Sequence, residues 1–88
     1  MRAKIKRIKI KYKQKIKIPE EFKKYFWDEP DGFTFLEKFI LRVFKYGNLK
    51  EIKKVYDKYP SEAYDIGFRY PDIKRGIRYW LKRWKGEI

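Results

Sequence analysis

The 88 residues are enough for one small domain, and 43% of them are hydrophobic, so we expect a real but thin core. The chain has no cysteine and no histidine, which excludes disulfides, a cysteine-based zinc site and the usual general bases of enzymes. Its apolar runs are shorter than the ~18 residues of a membrane span and than a signal peptide's apolar stretch. We therefore expect a cytoplasmic protein that does not enter a membrane.

The formal net charge of +13 is concentrated near the N-terminus. Residues 1–17 hold nine lysine and arginine side chains and no acid, whereas residues 18–88 hold sixteen basic and twelve acidic side chains. Asn and Gln occur once each, and hyperthermophile proteins show the same depletion of amides together with enrichment in charged residues. Thermal adaptation produces mixed charges in ion pairs, so it can explain the charge of residues 18–88 but not an unpaired basic segment.

Residues 4–18 alternate between apolar and basic side chains. Because successive side chains of a strand point to opposite faces, the alternation predicts a strand with one Ile/Tyr face and one lysine face. A helix is the alternative, but it places Ile10 and Ile18 away from the other apolar side chains. The apolar face comprises Ile8, Ile10, Tyr12, Ile16 and Ile18, and the lysine face comprises Lys9, Lys11, Lys13, Lys15 and Lys17.

This strand needs a partner for its backbone groups. A hairpin within the segment would turn at residues 13–15, Lys-Gln-Lys, which include none of the turn-forming residues Gly, Asn, Asp and Pro. We therefore expect the strand to pair with another chain, as in a homodimer, with a mobile terminus as the alternative.

After residue 17, apolar residues recur at the spacing of helices. Pro19 with Glu20 and Glu21 favours a first short helix, because proline and acidic residues suit a helix N-terminus. The remaining spacing predicts four more helices. The predicted fold is mainly α, with an N-terminal β-strand arm, residues 1–17, followed by a single helical domain, residues 18–88, that is a compact bundle of about five short helices.

Capping residues predict where these helices begin and end. Thr34 with Glu37, and Asn48 with Glu51, have the spacing of capping boxes. Gly47 is predicted to end the helix between them. The next two helices are predicted to begin at Ser61, as an N-cap, and at Pro71-Asp72. The apolar stripes include Phe35 and Leu36 in the second helix, and Ile73, Ile77, Leu81 and Trp84 in the last.

Little in the chain could perform catalysis. Ser61 is the only serine and has the position of a helix N-cap. Asp28, Glu29 and Asp31 could bind a hard cation, but they fall short of the ligands of a calcium loop and fit a solvated turn better. We therefore expect a protein that is not an enzyme and has no cofactor and no metal.

The last helix has a basic face opposite its apolar stripe. Basic side chains recur at helical spacing, and such a face fits a nucleic-acid backbone, although the exposed face of a thermophilic helix has the same pattern. Tyr79 and Trp80 could stack on bases, but aromatic residues at helical spacing belong to the core more often. The candidate nucleic-acid-binding residues are Lys9, Lys11, Lys13, Lys15 and Lys17 in the arm and Lys74, Arg75, Arg78, Lys82 and Arg83 in the last helix.

Nucleic-acid binding is the function that the charge pattern favours, with DNA preferred over RNA. Two paired basic strands would present lysines to a major groove, and lysine contacts to phosphate give salt-sensitive binding with little sequence information. The alternative is a protein-interaction module whose Ile face adds a strand to a partner's sheet while its lysines protect the edge. Binding to anionic lipid is a third option, and it requires the helical form of the arm.

Several core and capping segments between residues 16 and 84 form a recognisable pattern. They are residues 18–22 (Ile-Pro-Glu-Glu-Phe), 26–28 (Phe-Trp-Asp), 39–43 (Phe-Ile-Leu-Arg-Val), 46–49 (Tyr-Gly-Asn-Leu), Ile52, Tyr59 and 78–80 (Arg-Tyr-Trp). The pattern resembles a family of small helical proteins of unassigned function that are often encoded beside nucleotidyltransferase toxins of the abortive-infection type. The resemblance implies an antitoxin-like role in binding such a toxin or its own operator. The lysine-rich first fifteen residues depart from the family's pattern.

Overall fold

The computed structural model describes residues 10–87, which form two strands and five helices. Lys9 and the first half of the predicted strand lie outside this range. No helix within it is long and apolar enough to cross a membrane. The elements in chain order are β1 (Lys15–Lys17), a 3₁₀-helix (Glu20–Tyr25), β2 (Phe33–Phe35), α1 (Leu36–Tyr46), α2 (Leu49–Lys58), α3 (Pro60–Arg69) and α4 (Arg75–Lys85). The predicted class, mainly α with an N-terminal strand, is confirmed.

The N-terminal strand finds its partner within the same chain. β1 pairs antiparallel with β2, so that Lys15 lies opposite Phe35 and Lys17 lies opposite Phe33. The ladder extends beyond the strands, since the Leu36 N–H donates to the Gln14 carbonyl at 2.9 Å. The 3₁₀-helix and the turn after it reverse the chain between β1 and β2. The sequence did not indicate this connection, because the hairpin considered there had its turn within residues 13–15. A homodimer through this strand stays a prediction and would have to use the other edge of β1.

The predicted capping box of Thr34 and Glu37 is wrong. Phe35 occupies the N-cap position of α1, and no side chain caps the helix there. Thr34 is instead buried within β2, because pairing with β1 holds it in an extended conformation. Phe35 is exposed rather than part of the buried stripe of a helix.

The second capping box is confirmed. The Glu51 N–H donates to the Asn48 side-chain oxygen at 2.9 Å, and the Asn48 N–H donates to the Glu51 carboxylate at 3.0 Å. Gly47 ends α1 as predicted, with its N–H donating to the Val43 carbonyl.

The predicted starts of the last two helices are wrong by a few residues. α3 begins at Pro60, with Tyr59 as its N-cap, because proline suits the first helical position; Ser61 therefore lies inside the first turn. Pro71 and Asp72 form a turn, and α4 begins three residues later.

One hydrophobic core joins the N-terminal elements to the four α-helices. The stripe predicted for the last helix packs into it, with Ile73, Ile77 and Leu81 buried. α4 approaches α3 closely at Gly67, where a methyl group would lie 2.2 Å from Leu81 Cδ1. The other buried core residues are Ile18, Phe22, Phe26, Leu36, Phe39, Ile40, Val43, Phe44, Ile52, Val55, Ala63 and Ile66.

A buried carboxylate at the start of α1 connects the N-terminal segment to the end of α3. Glu37 is only 1% exposed, and it accepts two hydrogen bonds of 2.9 Å from the Arg69 guanidinium and one from the Tyr70 hydroxyl. The main-chain N–H groups of Lys11 and Tyr12 donate to the same carboxylate at 2.8 and 3.2 Å. Burial raises the pKa of Glu37, but these hydrogen bonds outweigh burial and lower it from 4.5 to about 2.

We expect Glu37→Gln to reduce the free energy of unfolding by about 3 kcal/mol near neutral pH, because Arg69 would lose its buried counter-charge. The pKa of Glu37 is depressed in the folded state, so its stabilisation is complete above pH 4.5 and is lost as the pH falls towards about 2. The difference from the unmodified protein should therefore shrink over this interval in urea unfolding experiments. Glu20→Gln is the control, since the side chain of Glu20 is 89% exposed. An equal effect of the two substitutions would contradict the role of Glu37.

Two of the three predicted caps, Asn48 and Ser61, provide a second test, because the structure contains only the first. Asn48→Ala should lower the free energy of unfolding by about 1 kcal/mol, because the Glu51 N–H loses its acceptor. Ser61→Ala should leave the free energy unchanged, since Ser61 follows the true first residue of α3. Thermal or urea unfolding of both variants measures the difference, and a larger loss for Ser61→Ala would show that the assignment of α3 is wrong.

Candidate nucleic-acid interface

The exposed side of the two-stranded sheet carries lysines beside phenylalanines. Residues directly opposite in an antiparallel pair share a face, so Lys15 lies beside Phe35 and Lys17 beside Phe33. Phe33 is 43% exposed and Phe35 is 36% exposed. The Lys15 ammonium lies 5.9 Å from the centre of the Phe35 ring. We call these four side chains the ribbon face.

The two phenylalanines were missed as site residues because Phe35 was assigned to a helix. The alternation Phe33-Thr34-Phe35, with a β-branched residue between two aromatic ones, is typical of a half-buried strand and could have revealed them. Their opposite neighbours on β1 could not have been inferred, because the register depends on how the intervening turn folds.

The arm lysines differ in what surrounds them. Lys11 lies 3.5 Å from Asp65 on α3, and its N–H is held by Glu37. Lys13, Lys15 and Lys17 are exposed and form no ion pair with any other residue between 10 and 87. The three side chains that continue along the ribbon face are therefore available to an anion, whereas the charge of Lys11 is partly compensated.

Tyr12 secures the same segment from its other side. Its hydroxyl donates to the Asp65 carboxylate at 2.9 Å, and Arg69 contacts that carboxylate at 3.2 Å. Burial and the hydrogen bond to Asp65 raise the pKa of Tyr12 to about 12. The tyrosine therefore stays a neutral hydrogen-bond donor at physiological pH. It holds one side of the arm against α3, and the lysines lie on the side that faces solvent.

The surface of α4 is the second basic region. The helix includes no acidic residue, and Arg75, Lys82 and Arg83 are exposed, as is Lys74 just before it. Tyr79 is 45% exposed. These side chains belong to α4, which packs on α3, whereas the ribbon face belongs to β1 and β2.

Aromatic rings form a connected row on this helix. The Trp80 ring centre lies 5.3 Å from that of Tyr79 and 5.9 Å from that of Trp84. Trp84 packs against the core, as expected, and its ring centre is 5.5 Å from that of Tyr56 on α2. Trp80 is half-buried and carries the Arg83 guanidinium 5.9 Å from its ring centre, so the row ends in an aromatic and basic surface at Tyr79.

Arg78 has a different environment from its basic neighbours. Its Nε donates to the Gly67 carbonyl at 2.9 Å, and one terminal nitrogen donates to the Tyr70 carbonyl at 2.5 Å. These carbonyls lie at the end of α3, where a helix leaves main-chain acceptors without internal partners. Arg78 therefore joins α4 to α3, and its guanidinium is less accessible to a phosphate than the sequence suggested.

The acidic turn that follows the 3₁₀-helix is used in ion pairs. Arg42 donates to both carboxylate oxygens of Asp28 at 2.7 and 2.9 Å, which lowers the pKa of Asp28 well below its usual range. Lys38 donates to Glu29 at 2.5 Å. Between residues 10 and 87, no cluster of three or more metal-ligating side chains is present.

The position of Arg78 leads to a prediction that separates stability from binding. Arg78→Ala should lower the free energy of unfolding by about 1–3 kcal/mol, because two carbonyls at the end of α3 lose their donors. Lys82→Ala, one turn further along α4, should leave it unchanged. Urea unfolding of both variants tests this, and equal stability would mean that the contacts of Arg78 are dispensable.

Comparisons of the chain with protein-family models, with curated proteins and with solved structures gave no match. The resemblance to the toxin-associated family therefore stays a prediction.

Proposed function

We propose that this protein binds nucleic acid in a single-stranded form through the ribbon face, without catalysing a reaction. The observation that carries the proposal is the side-by-side arrangement of Lys15 with Phe35 and of Lys17 with Phe33. Every base has a π-face that can stack on an exposed aromatic ring, and lysines beside the ring can contact the phosphates.

The spacing of the lysines supports an extended strand as the ligand. Lys13, Lys15 and Lys17 occupy alternate positions of an extended segment, so their Cα atoms are ~6.6 Å apart. This is similar to the separation of successive phosphates in a stretched single strand. In a duplex the bases are stacked on each other, and their faces would be closed to Phe33 and Phe35.

The basic surface of α4 supports the same class of ligand. It combines Arg75 and Arg83 with the exposed ring of Tyr79, which is the combination of cations and aromatic rings that single-strand binding uses. We propose it as an auxiliary contact. The preference for DNA over RNA comes from the sequence analysis alone. Lysine and phenylalanine contacts do not distinguish the two sugars.

The protein-interaction alternative has less support. β1 already pairs with β2 along one edge, so a partner's sheet could add only at its other edge. An antitoxin-like or regulatory role, with a nucleotidyltransferase-type toxin as partner, rests on the resemblance alone.

Two sets of variants test the proposal. Phe33→Ala with Phe35→Ala should weaken binding to a mixed-sequence single strand at least tenfold, because stacking contributes ~1–3 kcal/mol per base. The dependence of affinity on salt should not change. Replacing Lys13, Lys15 and Lys17 by Gln should instead reduce the slope of log K against log salt by about 2, because fewer counterions are released.

The control removes three exposed lysines from elsewhere, Lys23, Lys45 and Lys50, of which Lys23 and Lys45 form surface ion pairs. It should reduce affinity much less than the arm triple does. Fluorescence anisotropy between ~50 and ~300 mM salt measures each variant on single-stranded and duplex oligonucleotides. No binding at the lowest salt, or an equal loss for the control, would refute the proposal. Binding that depends on Tyr79 and Arg83 alone would assign the site to α4 instead.

A further inference from the structure

A pocket of about 200 Å³ opens beside the end of β1, between the 3₁₀-helix and α2. Its floor consists of buried core side chains, and its rim consists of charged side chains. Phe22, Phe39 and Val55 form the floor; Ile16, Pro19 and Tyr59 form the walls; and Lys17, Glu21, Lys54 and Lys58 form the rim.

The charge at the rim favours an anion. Lys54 lies 2.7 Å from Glu21, so these two charges compensate each other. Lys17 and Lys58 form no ion pair with any residue from 10 to 87, and both are exposed. Two lysines without an ion pair therefore border a cavity that has charged side chains at its rim and apolar side chains at its floor.

The pocket is continuous with the ribbon face through Lys17, which belongs to both. Lys13, Lys15 and Lys17 follow one another towards this end of β1, and the chain then enters the 3₁₀-helix at Pro19. A single strand whose phosphates follow the three lysines would thus arrive at the mouth of the pocket.

We propose that the pocket holds one unstacked nucleobase, whose phosphate lies between Lys17 and Lys58. If the base belongs to a bound strand, this proposal rests on the function proposed above. A free mononucleotide offers the same flat ring and phosphate. The apolar walls and floor cannot read the hydrogen-bonding edge of a base, so we expect the pocket to select a flat ring with a phosphate and not a base sequence.

Adenosine monophosphate and inorganic phosphate are the probes for the pocket alone. We expect adenosine monophosphate to shift the NMR signals of the Ile16 and Val55 methyl groups, whereas inorganic phosphate should leave them in place. Lys58→Glu should weaken nucleotide binding about tenfold, because the phosphate loses one charge-assisted contact. Lys50→Glu makes the same charge change on α2, at a residue that does not line the pocket, and should have little effect.

An oligonucleotide of about ten residues distinguishes the two sources of the base. If it binds and shifts the same methyl groups, and if Lys58→Glu weakens it, the pocket holds a base of the bound strand. If no oligonucleotide binds but the mononucleotide does, the proposed function fails and the pocket stands as a nucleotide site. If the oligonucleotide binds through Phe33 and Phe35 while the methyl signals and Lys58→Glu show no effect, the pocket proposal is overturned and the proposed function stands.

Discussion

The Glu37 carboxylate has almost no contact with solvent, yet it stays ionised because main-chain N–H groups, the Arg69 guanidinium and the Tyr70 hydroxyl donate hydrogen bonds to it. Two of the donors are main-chain N–H groups of the arm, and the others belong to the end of α3. An unpaired charge in this position would be costly, so the arm and α3 must both be in place whenever the protein is folded. This constraint positions the arm together with its pairing to β2 and the hydrogen bond from Tyr12 to Asp65.

Once the arm is held in this way, its alternating sequence separates apolar from basic side chains. Ile18 is buried in the core and Ile16 packs against it, whereas Lys13, Lys15 and Lys17 face solvent. In the helical part of the chain, many basic side chains lie next to carboxylates, as in the pairs of Lys53 with Asp57, Lys54 with Glu21 and Arg42 with Asp28. Thermal adaptation would produce such a mixed pattern. Within residues 10–87, basic side chains without an ion pair therefore lie on the ribbon face, at the pocket rim and along the exposed surface of α4, which are the surfaces proposed to bind the ligand.

The same kinds of residue have different roles according to the elements that they contact. Arg78 and Arg83 lie five residues apart on α4, but Arg78 donates to a carbonyl of α3, whereas Arg83 lies against the half-buried ring of Trp80. Phe35 and Phe39 lie four residues apart, yet Phe35 is on the outer face of β2 and Phe39 is in the core. Charge and hydrophobicity alone did not distinguish these roles.

The sequence by itself determined the features that depend on neighbouring residues: the helical class, the alternating arm, the capping box that begins α2 and the apolar stripe of α4. These follow from hydrogen bonds and side-chain directions within a few residues of each other. Only the tertiary structure decided that β1 pairs with β2, that Thr34 is buried and not a cap, that Glu37 holds the arm, and that Lys17 and Lys58 meet at one pocket. Each of these depends on contacts between segments far apart in the chain, where the gain from burying apolar surface and satisfying a charge outweighs the local preference of a single residue.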